Sequence, residues 1–223
     1  MTRKVLVIAT HPDDETLGCG GTLLKHQAEN HEVYWLICTS MSEKNGYTLE
    51  SLETRTQEIN DVASVFNFKE IYHLGLDSMQ VDTYAMSEII AKIASIIKQV
   101  EPHTIYLPFK SDVHSDHRKI FEAAYSCTKS FRYPFIKRIL MMETLSETEF
   151  APSTKEDSFI PNVFVDISAY FEKKCAILRI YKSEMGVHPF PRSERNVTAL
   201  ATLRGATAAC EYAESFVLLK EIS

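Results

Sequence analysis

Hydrophobic residues fall in short unbroken runs separated by amphipathic stretches, and this alternation organises the chain. Lys4–Ala9 is β-branched and apolar almost throughout, as expected of a strand buried on both faces of a parallel sheet. Beyond Gly18, Gly20 and Gly21, Thr22–Asn30 reads as a short helix and Glu32–Thr39 as a second strand, which completes a βαβ unit. Leu52–Phe66 has roughly helical apolar spacing and leads into the strand Ile71–Leu74. The clearest helix is Tyr84–Val100, where Met86, Ile89, Ile90, Ile93, Ile97 and Val100 recur every three or four residues until Pro102 stops the pattern.

The strand Thr104–Pro108, a polar loop, a helix over Ser115–Ser130 and the strand Arg138–Glu143 follow. Ala151–Ile160 is polar and contains proline, so it reads as an exposed loop before the strand Val163–Ile167. Ser168–Tyr181 reads as helix, Gly186–Ser193 as a Pro-rich loop, Val197–Cys210 as helix and Glu214–Leu219 as a late strand. The alternation predicts an α/β protein, Rossmann-like and doubly wound, with a mainly parallel sheet and helices on both faces. A length of 223 residues is within reach of one core, so a single domain over 1–223 is expected.

Charge and cysteine usage narrow the function. A net charge of −6 argues against a general attraction to nucleic acid or anionic membrane. No apolar run approaches membrane-spanning length, and Val5–Ala9 is too short for a signal-peptide core, so no membrane insertion and no leader are expected. Five scattered cysteines, an odd number with no close pair, point to a reducing, cytoplasmic compartment.

In a doubly wound fold, ligands sit outside the carboxyl ends of the strands. Two clusters of metal-capable residues fall at such ends: His11-Pro12-Asp13-Asp14-Glu15 after the first strand, and His114-Ser115-Asp116-His117 after Thr104–Pro108. A catalytic zinc takes three protein ligands and keeps one position open, and these clusters offer imidazoles and carboxylates enough. The plainer reading is that the first cluster caps a helix and the second is the surface of another helix start. Gly18-Cys19-Gly20-Gly21 lacks the later glycine of a dinucleotide fingerprint, so the glycines are read as letting the first helix approach closely.

His-Pro-Asp-Asp-Glu after an N-terminal strand, the following Thr16-Leu17-Gly18-Cys19-Gly20-Gly21-Thr22 and the later His-x-Asp-His resemble the PIG-L or LmbE-like zinc-dependent N-acetylglucosaminyl de-N-acetylases. Arg55, Glu58, Glu143-Thr144, Phe164–Ile167, Arg204-Gly205 and Ala213–Phe216 extend the resemblance over nearly the whole chain. The resemblance implies that His11, Asp14 and His117 bind Zn2+, with Fe2+ or another divalent ion able to replace it. It implies Asp13 as general base, His114 as oxyanion stabiliser or acid, and Arg55 as a substrate-binding residue. Asp116 is expected to hydrogen-bond His114 and keep it protonated, and Glu15 to act behind the site or as a helix cap.

The implied reaction is hydrolysis of an N-acetyl or other N-acyl group on a small amino-sugar or sugar-conjugate substrate, and the resemblance also implies a homo-oligomer. A non-catalytic sugar- or metal-binding member of the family is the alternative, and an ester or phosphoester hydrolase a third reading. Val113 and Glu184 depart from residues frequent in the family at those places. Arg204 and Glu214 are expected to pair structurally, Arg55 to pair with Glu58 at i+3 if it does not face the pocket, and Trp35 to lie in the core. His26, His31, His73, His103 and His188 have no partner at ligand spacing, although the loop carrying His188 is placed where it could cover the site mouth.

Overall fold

A strand that is apolar at nearly every position is stable only with both faces covered, and β1 (Lys4–Ala9) is the centre of such an arrangement, with Val5 to Ala9 wholly buried. The structure, a computed structural model, describes residues 2–223, so the start of the expected domain, Met1, lies outside the described residues. The other strands are β2 (Glu32–Ser40), β3 (Glu70–Asp77), β4 (Thr104–Leu107), β5 (Arg138–Met142), β6 (Val163–Asp166) and β7 (Ala213–Glu221). They form one seven-stranded sheet in the order β3-β2-β1-β4-β5-β7-β6. The strands from β3 across to β5 pair in parallel, while β7 runs antiparallel to both β5 and β6.

The helices are α1 (Asp14–Ala28), α2 (Leu49–Phe66), α3 (Met86–Val100), α4 (Ser115–Ser126), α5 (Phe171–Leu178) and α6 (Glu194–Ala208). The chain builds outward from β1 to β3, then returns through α3 to place β4 on the other side of β1. Leu23 of α1 and Val62 and Phe66 of α2 pack with Val5, Val7 and Trp35 on one face. Ile89, Ile93 and Ile97 of α3 and Ile120 of α4 pack with Leu6, Ile8 and Leu36 on the other. This is the doubly wound, mainly parallel α/β fold expected, and its switch point lies between β1 and β4, where a cleft opens beyond the carboxyl ends.

Two local expectations are corrected. The first helix begins at Asp14 and runs through the glycines, with non-helical φ and ψ at Cys19, rather than beginning at Thr22. Glycine propensity disfavours helix here, but packing overrides it: a Cβ on Gly21 would stand 2.7 Å from Ile167, so only glycine lets α1 come this close. Arg204 and Glu214 do not pair with each other. Arg204 instead grips Glu143 with two donors, at 2.9 and 2.5 Å.

Glu214 accepts from the backbone N–H groups of Gly21 (2.9 Å) and Thr22 (2.7 Å) and from the Lys174 ammonium (2.7 Å). Both side chains of that ion pair are buried. Breaking a buried pair from one side leaves an uncompensated charge and costs about 3–5 kcal/mol. Lys174→Met is therefore expected to lower the unfolding free energy, measured by urea denaturation, by an amount in that range, and Lys174→Met/Glu214→Gln to recover part of it. A single-variant loss well under 1 kcal/mol would show that water reaches Glu214.

Candidate metal centre and cleft

Two loops meet at the switch point. The first leaves β1 at Thr10 and turns into α1 through His11–Asp13, and the second leaves β4 and enters α4 at His114. Asp13 holds the turn with φ 141°, a conformation that non-glycine residues rarely adopt and that costs on the order of 1–3 kcal/mol. Several contacts fix the turn: the Asp14 carboxylate accepts the His11 N–H (2.8 Å), and Arg55 of α2 donates to the Pro12 carbonyl (2.7 Å). Glu15 accepts the Asp13 N–H at 3.0 Å.

His117 Nε2 lies 3.2 Å from His11 Nδ1 and 3.3 Å from Asp14 Oδ2, and His11 Nδ1 lies 4.0 Å from Asp14 Oδ2. These separations match the edges of a coordination shell with about 2.0–2.2 Å metal–ligand bonds, and the donor set is one that zinc accepts. The remaining ring nitrogens each face a carboxylate. His117 Nδ1 meets Asp112 Oδ2 at 2.9 Å, and His11 Nε2 meets Asp116 Oδ2 at 3.4 Å. A carboxylate behind a ligating histidine fixes its tautomer and raises its basicity.

The electrostatics ask for a cation at this point. Burial works against charge on His117, but Asp14 and Asp112 outweigh it and carry its pKa up to about 10. A proton on His117 thus occupies the role that a metal would take. Asp112, although raised by burial, is held by His117 and by the Thr148 hydroxyl at 2.7 Å.

Asp116 departs from expectation. Its carboxylate lies 4.0 Å from His114 Nδ1 and accepts instead from the backbone N–H groups of Met79 (2.7 Å) and Val81 (3.3 Å) beyond β3. It is the Asp116 backbone N–H that donates to His114 Nδ1, at 3.1 Å. Burial and then the neighbouring His11 push His114 down to about 4, so it is not kept protonated. With Nδ1 accepting, its proton sits on Nε2.

Asp13 is almost wholly buried. Burial, then the Asp14 and Glu184 carboxylates, raise it well above the usual carboxylate range, while Arg192, 3.2 Å away, pulls it down. Glu15 has no solvent exposure, accepts from the hydroxyls of Tyr181 (2.8 Å) and Thr16 (2.5 Å), and is raised to about 7 by burial. It lies beneath the turn, as expected for a residue behind the site.

His11, Asp13, His114 and Arg55 line one cavity of about 860 Å³. Arg55 faces this cavity and also pairs: Glu58 is 3.3 Å from its Nε, and Glu184 and Ser183 take Nη2. Glu184 also meets Arg192 at 2.9 Å. Within the Pro-rich 186–193 loop it is Arg192, not His188, that reaches the cavity wall. Glu147 lines the same wall with a buried, unpartnered Oε2.

Asp112, Glu147, Glu184 and Arg192 were not read as site residues from sequence. Asp112 carried a usable signal, a carboxylate five residues before His117 across the same loop. Trp35 is core, and His26 and His31 meet each other at 3.0 Å at the far end of α1 from the cleft. Among the described residues no helix is long and apolar enough to cross a membrane.

Residues 6–128 match the PIG-L family, described as GlcNAc-PI de-N-acetylase. The chain belongs to this family. It is 25% identical over 221 residues to diacetylchitobiose deacetylase of Thermococcus kodakarensis, a match that covers 95% of this chain and 81% of that protein. It is 22% identical over 238 residues to 1D-myo-inositol 2-acetamido-2-deoxy-alpha-D-glucopyranoside deacetylase of Mycobacteroides abscessus, covering 83% of each. The solved structure of N,N'-diacetylchitobiose deacetylase from Pyrococcus horikoshii superposes with a TM-score of 0.77 at 22% identity, over 98% of this chain and 84% of that one, which shows the shared fold.

Two outcomes follow from this geometry. Asp112→Ala is expected to weaken divalent-ion affinity about 10–100-fold, read by competition with a chromophoric chelator. Metal uptake near neutral pH is expected to release about one proton, because His117 must give up its own. Apparent affinity should therefore fall as pH is lowered, and affinity that does not change with pH would contradict the protonated His117.

Proposed function

We propose that this protein is a zinc-dependent hydrolase that removes the N-acetyl, or another N-acyl, group from an amino-sugar conjugate. The observation that carries the reading is the convergence of His11 Nδ1, Asp14 Oδ2 and His117 Nε2 on one point, beside a cavity lined by Asp13 and His114. The two curated relatives above, named as deacetylases of acetylated sugars, support the substrate class. Five free cysteines suit the reducing cytoplasm, where we place the protein.

A divalent ion held by these three side chains, zinc or in its place iron, supplies Lewis acidity to the acyl carbonyl and lowers the pKa of a water. Asp13 takes the proton from the attacking water. Its buried carboxyl, raised above the usual range, retains that proton and passes it to the departing nitrogen. His114, neutral with its proton on Nε2, donates a hydrogen bond to the oxygen that gains charge as the carbonyl is attacked. Asp116 acts as a positioning residue, since its carboxylate backs His11 and its N–H sets the tautomer of His114. Arg55 holds the turn through Pro12 and presents its remaining N–H to a sugar hydroxyl.

Metal analysis paired with acetate release from N-acetylated sugars tests the reading. About one metal per chain with acetate release is expected, and a chain that binds no metal would overturn the mechanism. Asp13→Ala is expected to lower kcat by about 10²–10⁴-fold with metal content retained, and undiminished turnover would remove Asp13 as the base. His114→Ala is expected to lower kcat by about 10²–10³-fold, the range for loss of an oxyanion donor.

A further inference from the structure

The cleft extends well past the metal centre. At about 860 Å³ it lies in the upper part of the range for small-molecule sites, with room for more than one acetamido sugar. Its lining mixes apolar and short polar side chains: Ile37, Leu52 and Ile59 with Ser51, Thr56 and Asn60. Such a lining matches a ligand that presents both C–H faces and hydroxyls.

The charges on the wall are unbalanced. Arg55 and Arg192 are the only lysine or arginine residues among the described residues that line the cavity, against Glu50, Glu184, Asp13 and Glu147, of which burial raises the pKa of the last two. Both guanidinium groups already have their charge matched by carboxylates. Arg55 is enclosed by Glu58 and Glu184, and Arg192 by Glu184 and Asp13. The lining histidine on the outer side, His73, is held below its ordinary pKa by burial and adds no cation at neutral pH. The two charges of a divalent ion are matched by Asp14 and Asp116, which lie against the ligand set. An anion in the outer cleft would therefore lose its hydration and meet an excess of carboxylate.

Resting on the deacetylase reading above, we infer that the part of the substrate beyond the N-acyl sugar is uncharged, a neutral sugar or polyol. Conjugates bearing phosphate or carboxylate in that position are disfavoured by Glu50 and by Glu184, which pairs with both guanidinium groups.

The test compares two ligands of one skeleton that differ in charge, N-acetylglucosaminyl L-malate and its dimethyl ester, on the metal-loaded full chain. N,N'-diacetylchitobiose and N-acetylglucosamine 1-phosphate form a second neutral and anionic pair. The neutral member of each pair is expected to show a kcat/KM about tenfold higher at low salt. The gap should narrow with added salt, as the Debye length falls from about 30 Å at 0.01 M to about 3 Å at 1 M. Equal or faster turnover of the anionic members at low salt, or a gap indifferent to salt, would overturn the inference and leave the deacetylase reading standing. Acetate release from none of the four would count against the deacetylase reading itself. Dissociation constants of the same ligands, measured by calorimetry, would then decide the charge preference by the same criteria.

Discussion

The meeting of two imidazoles, the buried His117 and the half-buried His11, with the Asp14 carboxylate at a single point is the constraint on which this structure turns. An imidazole in that position needs its other nitrogen satisfied, or it rotates or takes a second proton. Asp116 stands behind His11 from a different loop, whereas Asp112 stands behind His117 from the loop that leads into the same helix. Asp116 comes from α4 and crosses to the loop after β1 while also collecting the N–H groups of Met79 and Val81 after β3. One buried carboxylate therefore ties three strand-end loops together, and the sheet order that places β4 beside β1 makes the tie feasible.

The turn between His11 and Asp14 carries the cost of this convergence. Asp13 sits at a backbone conformation that only surrounding contacts can hold, and those contacts are themselves charged. Arg55, Glu184, Arg192 and Asp13 form a chain of alternating charge along the cleft, with Glu15 buried beneath it. The alternation holds the wall rigid, and it also matches the charge of both guanidinium groups with carboxylates. Site geometry and ligand charge preference thus arise from the same network.

Away from the cleft, a second buried pair performs a structural task. Glu214 on β7 reaches the middle of α1 and meets Lys174 of α5 there, which secures the helix where its glycines and the irregular Cys19 weaken it. This contact, and not helix propensity, explains how a glycine-rich segment becomes the helix that opens the site.

Much of the parallel half of the fold was legible from local pattern. Continuous apolar runs mark strands covered on both faces, and the repeat through Tyr84–Val100 marks α3 within two residues. The two motifs were legible as a site because each stands at a strand end, and it was the family resemblance that singled out His11, Asp14 and His117 from among their imidazoles and carboxylates. The antiparallel direction of β7, the early start of α1, the Arg204–Glu143 pair and the task of the Asp116 carboxylate were not. Nor were Glu184 and Arg192, whose place in the cleft depends on contacts with residues more than a hundred positions away. The sequence by itself determined the element types and the two motifs that supply the candidate donors, since these follow from side-chain periodicity and from residues adjacent in the chain. Only the tertiary structure decided which carboxylate backs which ring and which charges meet in the cleft, because those pairings depend on burial and on distances that no local pattern encodes.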